Sequence, residues 1–151
     1  MNWILGQATP ADWPRIEALL SSVELPLDGL REHLGTTLVA WIDDEIVACA
    51  AVELHVDFAL LRSVAVDKDQ QGQGLGHDLT RAALDLARQR GVSGVYLLTE
   101  TAGGFFSRFG FKPTSRAEVP ADVQKSVEFT SACPVSALAM LLSLEHEPAS
   151  S

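Results

Sequence analysis

An α/β fold, a mixed sheet flanked by helices and organised around one central βαβ unit, is what this 151-residue sequence predicts. Three observations carry it. An apolar run over residues 59–66 empties into the turn Gln71-Gly72-Gln73-Gly74-Leu75-Gly76, the turn opens an amphipathic segment that reaches Arg90, and a second apolar run follows over residues 92–99. Strand, crossover helix and strand in that order imply parallel pairing with a right-handed connection.

The other elements follow in order. Residues 2–8 suit a short first strand, and Thr9-Pro10-Ala11-Asp12 reads as a helix start, with a capping Thr, Pro at the first helical position and an acid three residues on. Ile16, Leu19, Leu20 and Val23 give that helix an apolar face. After Pro26, residues 27–34 suit a second short helix ending at Gly35. Residues 37–42 and 45–53 read as a hairpin joined at Asp43-Asp44, and residues 57–66 as a third long strand. The amphipathic helix carries Leu75, Leu79, Ala82, Ala83 and Leu86 on one face and stops at Gly91. Beyond residue 99 the pattern predicts a short helix over 103–109 closed by Gly110, an edge segment over 111–113, a helical turn over 120–125 and a last strand over 136–144. Residues 1–144 form a single domain in this reading, and residues 145–151 a flexible tail.

Composition narrows the function. The apolar fraction of 47% argues against disorder, and the formal net charge of −9, with only 11 scattered Lys and Arg, argues against nucleic acid as a partner. No window approaches the roughly 18 apolar residues of a membrane span. The first residues lack a basic segment followed by an apolar block, so a cytoplasmic protein is expected. Cys49 and Cys133 are neither a close pair nor a disulfide framework and read as small thiols. His33, His77 and His146 share no metal-ligand spacing, and no metal is assigned.

A strand that ends in a glycine-rich turn at a helix start can hold phosphate, because small residues let backbone N–H groups converge where the helix dipole is positive. A Walker loop is excluded, since no Gly-Lys-Ser/Thr occurs. A dinucleotide fingerprint fails as well, because after Gly72 and Gly74 the third glycine position is His77. The remaining pattern is Gln/Arg-x-x-Gly-x-Gly, met by Gln71, Gly74 and Gly76 directly after Ser63-Val64-Ala65-Val66-Asp67. It resembles the acetyl-CoA signature of the GNAT superfamily of N-acetyltransferases, and Phe105-Phe106-Ser107-Arg108-Phe109-Gly110-Phe111 resembles that family's second CoA-side motif. The likeness covers roughly residues 2–144.

The resemblance implies a mostly antiparallel sheet of six to seven strands, with acetyl-CoA as co-substrate. The pantetheine arm would pair with the backbone of Val64, Ala65 and Val66, and the pyrophosphate would sit on N–H groups of Gln71, Gly72, Gln73, Gly74, Leu75, Gly76 and His77. Phe106 and Arg108 would lie on the CoA side, Arg108 either touching a phosphate or covering surface. The thioester oxygen would be held by a backbone N–H near Val64, where the strand is locally bulged in this family.

The acceptor is read from the rest of the chain. Leu97-Leu98-Thr99-Glu100-Thr101 with the aromatic motif resembles acetyltransferases acting on the α-amine of glutamate, and Cys133-Pro134-Val135-Ser136-Ala137 resembles a branch associated with arsenic resistance. Arg62, inside an apolar strand, is either a bidentate clamp for a substrate carboxylate or a structural partner of Glu53. Thr99 and Thr101 alternate along a strand end and either face the substrate or fill ordinary strand positions. Where many relatives place Glu or His, this chain has Leu60 and Arg62, which makes Glu53 the expected base, through a water, with His55 behind it. Phe106 stands where relatives commonly carry Tyr as acid, so thiolate leaves unassisted or by another donor. Weak base machinery favours an amine such as a peptide α-amine, with pKa about 7.7–8.0, over a lysine near 10.4.

The expected function is transfer of acetyl from acetyl-CoA to the amine of a small, acidic, amino-acid-like molecule, by direct attack in a ternary complex. Protein acetylation and a catalytically weak acetyl-CoA sensor are the alternatives, and the resemblance admits a homodimer.

Overall fold

The helix start at Thr9 is built by its own side chains. In the computed structural model, which describes residues 3–99, 102–126 and 137–144, the Thr9 N–H donates to Asp12 Oδ2 at 2.8 Å and the Thr9 hydroxyl donates to the same oxygen at 3.1 Å. This cap opens a 3-10 turn, Pro10–Asp12, that runs directly into α1, Trp13–Ser22. Asp12 is buried, and the donors that reach it offset its lost hydration.

Strand β1, Ile4–Gln7, pairs antiparallel with β2, Thr37–Ile42, and β2 turns into β3, Glu45–Leu54, with Ile42 opposite Glu45. Asp43 takes the left-handed conformation, φ 56°, that such a two-residue turn asks of it. The short helix expected over 27–34 is a 3-10 segment instead, Leu30–Thr36, kinked at His33 (φ −116°, ψ 21°). The reason is side-chain competition. The hydroxyls of Thr36 and Thr37 donate to the His33 carbonyl at 3.3 and 2.8 Å and so displace a regular α-helical ladder.

Strand β4, Phe58–Val66, precedes α2, Leu75–Gln89, and β5, Gly94–Thr99. Then come α3, Gly103–Ser107, β6, Lys112–Thr114, α4, Ala121–Gln124, and β7, Leu138–Ser143. The seven strands run β1-β2-β3-β4-β5-β7-β6 across one mostly antiparallel sheet, with β4 and β5 parallel. Predicted elements and observed ones agree in order and type, apart from the 3-10 segments. Residues 100, 101, 133–136 and 145–151, which carry Thr101, Cys133 and the expected tail, lie outside the described residues.

By internal packing the chain divides into two units, residues 1–53 with 61–86, and residues 54–60 with 87–151. In the first, Ile16, Leu19 and Leu20 of α1 pack with Leu30, Leu34, Val39, Cys49, Ala51 and Ala65, the half-buried Trp13 and Trp41 closing the rim. In the second, Leu60, Tyr96, Val119 and Val123 form the core with Phe58 and Leu141, and the Phe58 and Tyr96 rings lie 5.3 Å apart. Burial and the nearby Glu118 charge raise the Tyr96 hydroxyl above its ordinary pKa. No described helix is long and apolar enough to cross a membrane.

Candidate functional site

The glycine turn owes its shape to two residues in left-handed backbone. Gly72 and Gly74 have φ 84° and 91°, conformations that cost an L-residue about 1–2 kcal/mol. Gln71 fixes the turn to the strand it leaves, its side-chain amide donating to the Val66 carbonyl at 3.0 Å. Asp67 stiffens the approach, accepting from the Asp69 N–H at 2.9 Å while its own N–H donates to Val47 O at 2.8 Å. Along α2 the Asp78 N–H donates to Gly74 O at 3.0 Å. The N–H groups ahead of it belong to the opening turn that a helix leaves without intrahelical acceptors, at its positive end. Gln71, Gly72, Gln73 and Gly74 are exposed, so the turn is open to a ligand.

Upstream of this cradle, β4 is not regular. Ser63 has φ 58° in mid-strand, a conformation uncommon for a residue with a Cβ. Neighbours hold it there. The Cys49 thiol donates to the Ser63 carbonyl at 3.2 Å, and Arg62 Nε donates to Ser63 Oγ at 3.1 Å. Val64, the next residue, and Val66 are half-buried while Ala65 packs inward, so the irregularity of β4 is the positive φ of Ser63, next to Val64. Burial pushes the Cys49 thiol up to about 12, with a backbone hydrogen bond at Ala65 opposing the shift.

Beside Ser63 lies a charged cluster. Arg62 Nη1 donates to Glu53 Oε2 at 2.8 Å, with the two side chains 0% and 3% exposed. Of the two readings open for Arg62, pairing with Glu53 is the contact found. His33 Nε2 approaches the same Glu53 oxygen at 3.8 Å, and its side chain is 28% exposed. Sequence reasoning weighed His33 only as a metal ligand and missed this contact, for which the sequence carries no local signal. Among the described residues no group of three His, Cys, Asp or Glu could hold a metal ion.

An open cleft of about 340 Å³ in the same unit is lined by Arg15, Leu19, Glu45, Ile46 and Asp67. It lies at the start of β3, whereas Glu53 is near the end of that strand. The cleft therefore does not contain the charged cluster.

Three expected residues belong to the second unit. Thr99 Oγ1 accepts from the Ala102 N–H at 3.0 Å and ties the end of β5 to the start of α3. Phe106 is buried, edge-on to Phe105 and Phe111 at 5.1 and 5.9 Å, so its ring is part of an aromatic cluster. Arg108 follows α3 as its exposed C-cap.

A central strand feeding a glycine-rich helix start defines a fold suited to a phosphate-bearing ligand. Comparison with known proteins makes the class specific. Residues 33–113 match the Acetyltransferase (GNAT) domain, and the chain belongs to the GNAT acetyltransferase family. An amino-acid acetyltransferase of Mycobacterium tuberculosis (strain ATCC 25618 / H37Rv) is 33% identical over 133 residues, 80% of this chain and 74% of that protein. An uncharacterized N-acetyltransferase of Chlorobaculum tepidum is 30% identical over 95 residues, 62% of this chain and 61% of that protein. Among solved structures, a Mycobacterium tuberculosis protein in complex with CoA and NLQ superposes with a TM-score of 0.79 at 26% identity, over 94% of this chain and 99% of that one. The chain spans 61% of the Chlorobaculum relative and 29% of a Neisseria meningitidis amino-acid acetyltransferase.

Proposed function

We propose that the protein is an acetyl-CoA-dependent N-acetyltransferase whose acceptor is the amine of a small, acidic, amino-acid-like molecule. The observation that carries the donor is the glycine turn at the N-terminus of α2, exposed over residues 71–74, directly after a β4 that carries Ser63 at positive φ, within a chain of the GNAT family. Its backbone N–H groups receive the pyrophosphate, and the backbone N–H at Val64 polarises the thioester oxygen. What supports the acceptor is the likeness to amino-acid acetyltransferases and to a protein solved with CoA.

The chemistry needs little else. The neutral amine nitrogen attacks the thioester carbonyl carbon, a C–N bond forms, the C–S bond breaks, and CoA leaves as thiolate. Glu53 takes up the proton that the amine loses, and Arg62 acts through Glu53, keeping its carboxylate in place. A thiol of pKa about 8.5 leaves without an acid, so the hydroxyl that Phe106 lacks is dispensable.

Thiol release from acetyl-CoA across a panel of amines tests this reading. Acidic amino acids give the highest kcat/KM, with glutamate ahead of alanine and of a peptide amine. A peptide amine ahead of every amino acid overturns the acceptor class. Acetyl-CoA binding with no turnover on any amine marks a sensor and overturns the activity.

A further inference from the structure

His33 has no part in the reading so far, yet the chain fixes it with care. Its carbonyl accepts from both the Thr36 and the Thr37 hydroxyl. The Thr36 hydroxyl shares its one proton between that carbonyl and the nearer carbonyl of Val52, the residue before Glu53, so the kink at His33 is fastened to the end of β3. From that anchored backbone the imidazole turns Nε2 to within 3.8 Å of Glu53 Oε2. The charged groups around it are Glu53 from β3 and, through it, Arg62 from β4, with Arg31 and Glu32 adjacent on its own segment.

The three side chains differ in access to water. Arg62 and Glu53 are enclosed, and His33 is the partly exposed member. A carboxylate that takes a proton in every turnover must also lose it, and an enclosed one needs a partner that reaches solvent. Imidazole suits that task, since it accepts at one nitrogen while releasing from the other. A separation of 3.8 Å exceeds a hydrogen bond, and a small side-chain rotation or one bridging water closes it.

We propose that His33 is the proton exit of this site, a relay residue that acts through Glu53. The inference rests on the acetyl-transfer reading above. The proton that the amine nitrogen loses as the C–N bond forms goes to Glu53, Glu53 passes it to His33 Nε2, His33 releases its Nδ1 proton to water, and exchange with solvent returns the imidazole to its starting tautomer. Glu53 is thereby returned to its carboxylate form and no other reactant is consumed.

The test compares the wild type with His33→Gln, which keeps a polar side chain of similar reach but carries no proton. Run with whichever amine the wild type turns over fastest, the variant loses kcat about tenfold or more, keeps KM for acetyl-CoA and amine within about twofold, and regains part of the rate in added imidazole. Wild-type kcat across the pH range overturns the proposal, as does a loss seen in KM or in folding that imidazole leaves unrescued. An amine panel won by a peptide removes the acidic acceptor while this comparison proceeds on that peptide. The two ideas therefore fail separately, and only an enzyme with no turnover on any amine overturns both.

Discussion

Replacing Arg62 by Met keeps most of the side-chain volume and removes the guanidinium from Glu53. In the folded protein the two groups are 2.8 Å apart with 0% and 3% side-chain exposure, so the carboxylate left behind remains enclosed and loses its charged donor. Breaking a buried pair by removing one partner costs about 3–5 kcal/mol. Against a net stability of roughly 5–15 kcal/mol, that is a large share. At about 2–4 °C per kcal/mol for a chain of this size, the melting temperature falls by roughly 6–20 °C. Removing both charges in Arg62→Met/Glu53→Leu restores much of the loss, because buried ion pairs replaced by apolar side chains are often neutral in stability. The assay is thermal and urea unfolding of the wild type, both single variants and the double. An Arg62→Met variant within about 1 kcal/mol of the wild type, or a double variant as unstable as the two singles added, refutes the enclosed pair. Arg62→Lys gives a separate reading through kinetics. If the guanidinium gripped a substrate carboxylate directly, this variant would raise KM for an acidic acceptor without a loss of folding stability.

The remaining predictions concern the glycine turn and Cys49. Gly72→Ala and Gly74→Ala place a methyl group where no atom lies within 4 Å, so the cost is conformational, about 1–2 kcal/mol each, and KM for acetyl-CoA rises while KM for the amine stays; an unchanged acetyl-CoA KM detaches the turn from the donor. Cys49, raised to about 12, stays protonated and resists alkylation in the folded protein at pH 8, as peptide mass spectrometry reads directly. Its folded pKa lies above the ordinary thiol value. The associated stability is therefore complete below about pH 8.5 and is lost as pH rises toward 12, at up to about 1.4 kcal/mol per pH unit. The stability gap between the wild type and Cys49→Ala should close between pH 8 and pH 11 in urea melts, and a constant gap refutes the enclosed thiol.

Much of this molecule is written locally. The cap at Thr9 and Asp12, the hairpin at Asp43, the apolar face of α2 and the stop before Gly91 each depend on residues within a few positions of one another. The sequence alone therefore determined the order of strands and helices, the central βαβ unit and the glycine turn. The 3-10 segment at Leu30–Thr36 was less legible, because its form is decided by hydroxyls that prefer the His33 carbonyl over a helical ladder.

The charged cluster belongs to another level. Glu53 and Arg62 stand nine positions apart on neighbouring strands, and His33 comes from a turn before either strand begins. Their meeting depends on how β3 and β4 are aligned and on where the kink at His33 is fastened. No residue type or spacing encodes that alignment. Ser63 is similar, an ordinary strand residue whose positive φ is held by Cys49 and Arg62 from the side. Glycines announce a turn because the chain needs their freedom at that very position, and so the turn proposed to hold the donor could be read from the sequence. The groups that would handle the acceptor's proton are assembled across strands: the Glu53–Arg62 pair was one of two readings open in the sequence, and the tertiary structure selected it and added His33.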